Sequence, residues 1–222
     1  MSTVIPAPSV VRSRRIRLGI EPHDLDRGLG AGRGLVVDIR PAAAFDAGHI
    51  PRSLNASGLA WSAMTALLPP GSPVAVVAPT PYEAQQAASL LSEAGLDYDA
   101  TVVSGGIDGW RRHGLRLHHG LALDARRALQ QVQRGGVALI DVRTAGDFAV
   151  AHVVGSISVP PEQWAARGRE LPRLPLVVGA ASGELAAGAA SLFRAAGHGC
   201  VWRVEGNGIE QMLDAGATLP VR

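Results

Sequence analysis

The chain has no lysine; all 21 of its basic residues are arginine. That excludes Schiff-base chemistry, a lysine general base and the phosphate-binding lysine of a P-loop. Cysteine occurs once, as Cys200. One thiol cannot close an intramolecular disulfide, make a Cys-x-x-Cys redox pair or build a multi-cysteine zinc or iron–sulfur site. No apolar run approaches the ~20 residues that a membrane helix needs. The opening residues, MSTVIPAPSVVRSRR, put their charges after a short proline-broken apolar stretch, which reverses the order of a secretory signal. These absences lead to the expectation of a soluble, cytoplasmic protein that avoids membranes and uses neither metal nor cofactor.

What is present is a chain of 222 residues, 47% hydrophobic and 18% charged. It can build a core, and its length suits two domains of ~100 residues. The formal charge is only +2, and acids and arginines are interspersed. The exception is Arg12-Ser-Arg14-Arg15-Ile-Arg17. Such a run can touch nucleic acid, but a solvated N-terminal arm over residues 1–16 is the expectation.

The chain repeats itself. Residues 73–112 lie on 175–214 without a gap: Ala87-Ala-Ser-Leu90 on Ala189-Ala-Ser-Leu192, and Gly106-Ile107 on Gly208-Ile209. An earlier block matches one position further on, with Asp38-Ile-Arg40 on Asp141-Val-Arg143, Phe45 on Phe148, His49 on His152 and Ser53 on Ser156. Two copies of one unit follow, as domains 17–117 and 118–222. Each copy opens with a short helix (His23–Leu29; Asp124–Gln133) and a first strand (Leu35–Ile39; Val137–Val142). Then come a helical turn at Phe45 or Phe148, a tryptophan segment (Trp61; Trp164) and a second strand (Val74–Val77; Leu176–Val178). An alanine-rich helix (Ala84–Ala94; Ala186–Ala196), a third strand (Ala100–Val103; Val201–Val204) and a glycine turn into a last helix complete the unit. The strands are apolar without alternation, so helices cover both faces of a parallel α/β sheet. Gly105-Gly106 and Gly208 suit a turn of positive φ, and His49 and His152 suit hydrogen-bonded packing positions.

These motifs, with Gly48-His49-Ile50-Pro51 and Ser104-Gly105-Gly106-Ile107-Asp108-Gly109-Trp110, resemble the rhodanese family in a tandem of two rhodanese-like domains. The resemblance implies a five-stranded parallel sheet flanked by helices in each domain. It also implies one reactive cysteine, placed where the second strand ends and a short loop runs into a helix. Backbone N–H groups and the helix dipole there favour a thiolate and its sulfur-bearing forms. Carried over position by position, the cysteine falls on Ala180 in the loop Ala180-Ala181-Ser182-Gly183-Glu184-Leu185-Ala186. In the first domain it falls on Ala78, in Ala78-Pro79-Thr80-Pro81-Tyr82-Glu83.

A methyl group carries no sulfur, so neither loop is expected to perform sulfur transfer or the related phosphatase chemistry. Two prolines strip donors from the first loop. Ala180, Ala181, Ser182 and Gly183 keep more of an anion-binding shape and are a candidate site for a small oxyanion. Cys200, outside the loop and beside apolar Val201 and Trp202, is read as a buried small hydrophobe, with a relocated reactive thiol as its alternative role. His118 and His119 are adjacent and would point apart on a strand; no metal site is expected of them. Ser182 lacks the surroundings of a nucleophile elbow. The expectation is a catalytically degenerate binding or regulatory module, with a protein partner or a second copy of itself. The alternative is a thiosulfate or mercaptopyruvate sulfurtransferase, if Ala180 replaces a native cysteine or Cys200 carries the sulfur.

Overall fold

The computed structural model describes residues 17–59, 71, 73–93 and 99–217. The arginine run up to residue 16, Trp61 and Tyr98 lie outside the described residues. Each half of the chain forms one five-stranded, all-parallel sheet. The first contains β1 (Arg17–Ile20), β2 (Leu35–Asp38), β3 (Leu54–Asn55), β4 (Pro73–Val77) and β5 (Asp99–Val103), in spatial order β1-β5-β4-β2-β3. The second contains β6 (Leu121–Leu123), β7 (Ala138–Asp141), β8 (Ile157–Ser158), β9 (Leu176–Gly179) and β10 (Val201–Val204), in the matching order β6-β10-β9-β7-β8.

The central strands are apolar throughout because both faces are covered. In the first sheet, Val36, Ala75 and Val77 point to the helices Pro22–Gly30 and Gly106–Arg112, where Leu25, Ile107 and Trp110 complete the layer. Val37, Val74 and Val76 point the other way, to Ala84, Ala87, Ala88 and Leu91 of the helix Pro81–Glu93. The second sheet repeats this. Leu139, Val177 and Val204 meet Ala128, Ile209 and Met212 on one face, and Ile140, Leu176 and Val178 meet Ala186, Ala190 and Phe193 on the other. Helix starts follow their caps: Asp124, Thr144 and Ser182 each accept a backbone N–H from three residues on.

Strand registers correct the gapless repeat. Val74 pairs with Ala100, whereas Leu176 pairs with Val201. Thus β5 lies on β10 at an offset one shorter than β4 on β9, and the turn after β10 restores the residue. By this register Cys200 corresponds to Asp99 rather than to Tyr98. The same turn corrects the glycine reading. Gly105 and Gly106 have φ of 67° and 56°, but in the second copy the positive φ belongs to Gly206, at 59°. Gly208 is glycine for space, since a Cβ there would sit 2.2 Å from Val204 Cγ1.

The domains share a core. The helix Gly183–Ala195 packs on its own sheet and also on β3 of the first domain. A Cβ at Gly188 would lie 3.2 Å from the Asn55 carbonyl oxygen, and the Asn55 N–H donates to Ser191 Oγ at 3.0 Å. Leu59 and Leu192 touch the cores of both domains. No helix among the described residues is long and apolar enough to cross a membrane.

Candidate functional site

The two loops named above follow β4 and β9, at the carboxyl ends of parallel strands, where open α/β sheets take their ligands. In the second domain Ala180 is the first residue past β9. It is 1% exposed, and its methyl belongs to the core beside Val142 and Ala186. Ala181 and Ser182 are exposed and Gly183 is half-buried. Ser182 Oγ accepts from Leu185 N at 3.2 Å and so caps the helix Gly183–Ala195. The other N–H groups of that first turn have no acceptor within the helix.

Glu184 decides what the second loop faces. Its Oε2 accepts the N–H of Ala42 at 2.8 Å and the hydroxyl of Ser57. Both donors belong to the first domain. The carboxylate therefore caps the helix Ala42–Ala47 across the domain boundary. Beside it, Arg203 Nε donates to Asp46 Oδ2 at 2.6 Å, again between domains.

The first loop is closed differently. Glu83 Oε2 accepts from Thr80 N at 3.0 Å and from Thr80 Oγ1 at 2.7 Å, and Glu83 N donates back to Thr80 Oγ1 at 3.2 Å. This reciprocal cap takes up both donors of Thr80, and Pro79 and Pro81 on either side have none to offer. Ala78 is only half-buried. It lines a cavity of about 850 Å3 together with Arg40, Ser104, Gly105 and Arg112.

An aspartate–arginine pair braces each domain below these loops. Asp38 accepts from Arg40 N at 3.0 Å and from Arg40 Nη2 at 2.6 Å, and Arg40 Nη2 reaches the Gly48 carbonyl at 2.8 Å. Asp141, Arg143 and the Ala151 carbonyl repeat the arrangement. Burial pushes the Asp38 carboxyl up from its ordinary value, against the downward pull of Arg40. The histidines are also paired: His49 and His152 stack on Phe45 and Phe148 at centroid distances of 3.9 and 4.1 Å.

His49 is 4% exposed. Burial first, then Arg194, His118 and Arg40, push its pKa down to about 4 from 6.5, and the Phe45 carbonyl opposes this. The fold therefore holds this ring neutral while the unfolded chain takes up a proton. Between pH 6.5 and about 4 the unfolded state binds more protons, so stability rises with pH through that window. About 3 kcal/mol should be lost between pH 7 and 4 through this ring alone. Urea midpoints of wild type and His49→Gln across that range measure it. Equal pH slopes for the two proteins would refute it.

Cys200 directly precedes β10 and is partly exposed rather than buried as expected, because it sits at the sheet's rim, and its carbonyl accepts from Leu176 N at 2.9 Å. Because β9 and β10 run parallel, this thiol is at the end of the sheet opposite Ala180. The length of β9 separates them, roughly 13 Å at ~3.3 Å per residue. The structure does not bring the two candidates together. His118 does meet His49: their backbones exchange N–H···O bonds of 2.9 Å. Asp46 and Arg203 went unnoticed in the sequence, as did the reach of Glu184 into the first domain. These contacts span more than a hundred positions and leave no local pattern.

A doubled parallel α/β unit with a strand-to-helix loop at each sheet's carboxyl edge defines the class. Within it, the rhodanese-like domain family matches residues 21–113 and again 124–213. The chain belongs to the rhodanese-like family. Among solved structures it is similar to the thiosulfate sulfurtransferase of Pseudomonas aeruginosa, with 21% identity and a TM-score of 0.42 over 92% of this chain and 44% of that one. It is also similar to the 3-mercaptopyruvate sulfotransferase SseA of Escherichia coli, with 19% identity and a TM-score of 0.38 over 84% of this chain and 97% of that one. A rhodanese-like domain from Anabaena sp. aligns with 45% of this chain and 79% of its own length, at 20% identity and a TM-score of 0.40. The chain thus spans less than half the length of the Pseudomonas protein. No curated protein matches the sequence.

Proposed function

We propose that this chain is a catalytically degenerate tandem rhodanese-like protein, a binding or regulatory module of the cytoplasm and not a sulfurtransferase. One observation carries the reading. The residues directly after β4 and β9, where the family resemblance puts the sulfur-bearing cysteine, are Ala78 and Ala180. The surroundings support it. The first loop spends its donors on Glu83, and the second sets Glu184 against the first domain. A carboxylate beside either loop repels the anions that sulfur transfer must hold.

The test is thiocyanate production from thiosulfate and cyanide by the full chain, with intact mass recorded after incubation with sulfur donors. No turnover above the uncatalysed rate is expected, nor any gain of about 32 Da, one sulfur atom. Sequencing the encoding gene for an alanine codon at 180 belongs to the same test.

The second reading, sulfur carried by Cys200, is favoured by one observation: the thiol is partly exposed and lies within electrostatic reach of the Arg194 guanidinium. Turnover abolished by Cys200→Ser would establish it and overturn the first.

A further inference from the structure

Between the domains lies a second cavity, of about 350 Å3, lined by no residue of either loop. It is lined by His49 of the first domain, Arg194 of the second, and Arg116, His118 and His119 of the connecting segment. Among the described residues no carboxylate lines it. The acid that acts on Arg194 is Asp46, and Asp46 is already paired with Arg203 at 2.6 Å. The side chain of Arg116 makes no hydrogen bond or ion pair among the described residues. The cavity therefore presents two guanidinium groups and two exposed imidazoles with little to balance them.

His49 adds a directional element. Its Nδ1 lies 2.9 Å from the Phe45 carbonyl oxygen. A carbonyl can only accept, so Nδ1 carries the hydrogen and Nε2 keeps its lone pair. Nε2 has no protein partner among the described residues, yet no fully buried polar side-chain atom there goes unpaired. This nitrogen, on a residue only 4% exposed, therefore opens into the cavity that His49 lines.

We propose that the interdomain cavity binds a small oxyanion that still carries a hydrogen, of the hydrogenphosphate type. Arg116 and Arg194 take the charged oxygens, as guanidinium groups do. His49 Nε2 accepts the remaining O–H. Sulfate has no such hydrogen at neutral pH, and a phosphomonoester, with its second pKa near 6, has largely lost it. Both would set an oxygen lone pair against that of Nε2. Since the lining comes from both domains and from the segment joining them, the bound ion ties the two together.

The experiment is a titration of the full chain, with 15N-labelled histidine rings, by inorganic phosphate at pH 7.5 and constant ionic strength. A saturable shift of the His49 Nε2 resonance is expected. Sulfate and glycerol 2-phosphate should bind at least about tenfold more weakly. Arg116→Gln, an exposed change that leaves the fold intact, should weaken phosphate by a similar factor, and Arg111→Gln in the other cavity should leave it unchanged. An absent or unsaturable His49 shift, equal binding of sulfate, or undiminished binding by Arg116→Gln would each overturn the proposal.

Discussion

Replacing Phe193 by alanine is expected to destabilise the chain by about 3–5 kcal/mol and to loosen both domains together. Phe193 is fully buried, in one cluster with Trp164, Leu171 and Val201. Its ring sits so close to Gly168 that a Cβ there would be 3.2 Å from Phe193 Cδ1. Such a tightly packed site cannot collapse far, so truncation leaves a cavity as well as losing apolar burial. The residue also sits on the helix that both domains share. Through Gly188 and Ser191 that helix holds Asn55 on the edge of the first sheet. Loss of its anchor in the second domain should therefore reach the first. Urea unfolding followed by circular dichroism gives the size of the effect, and hydrogen exchange of the Val74–Val77 amides against the Leu176–Gly179 amides gives its reach. A loss under about 1 kcal/mol, or unchanged exchange in β4, would contradict it.

The shared helix also shows what the sequence holds and what it hides. Ala87-Ala-Ser-Leu90 and Ala189-Ala-Ser-Leu192 look interchangeable, and both do lie on helices that cover a sheet. Their neighbours differ with purpose. Gln85 and Gln86 are exposed, whereas Ala187 and Gly188, at the same places of the repeat, are buried. Two glutamines face water where an alanine and a glycine admit the other domain's backbone. In a single sequence that contrast reads as drift, because nothing marks which copy's outer face is covered. The long central strands were legible for the opposite reason: four or five consecutive apolar residues record a strand covered on both faces. The outer strands β3, β6 and β8 have two or three residues each, too few for any pattern, and β1, Arg17-Leu-Gly-Ile20, is no apolar run; only the family resemblance supplied a five-stranded sheet. The gapless repeat failed at β5 and β10 because compensating one-residue changes on either side of a strand cancel in the numbering.

At the loops the chemistry was legible and the packing was not. Ala78, Ala180, the two prolines and both glutamates can be read from residue types alone. That Glu83 would turn back on its own loop while Glu184 crossed to Ala42 and Ser57 depends on which domain stands in front of each. The interdomain cavity was hidden for the same reason. Four of its polar groups, His49, Arg116, His118 and Arg194, are ordinary residues until the fold gathers them.

Asp141→Ala should be the other severe substitution, at about 3–5 kcal/mol. Asp141 is fully buried, and it meets Arg143, 6% exposed, through the backbone N–H at 3.0 Å and Nη2 at 2.7 Å. Removing the carboxylate leaves a guanidinium with the Ala151 carbonyl, at 2.7 Å, as its remaining acceptor. One carbonyl dipole cannot offset a buried positive charge. Arg143→Ala should cost a similar amount by stranding the carboxylate. The double replacement Asp141→Leu with Arg143→Leu should recover most of the loss, because it buries no charge at all and two apolar side chains fill part of the space. Guanidinium chloride midpoints for these proteins, with Asp141→Leu and Arg143→Leu alone added to close the cycle, measure it. If the double variant is as unstable as the sum of the two single losses, the pair acts through the shape it imposes on the loop and not through its charges, and the electrostatic account of this brace fails.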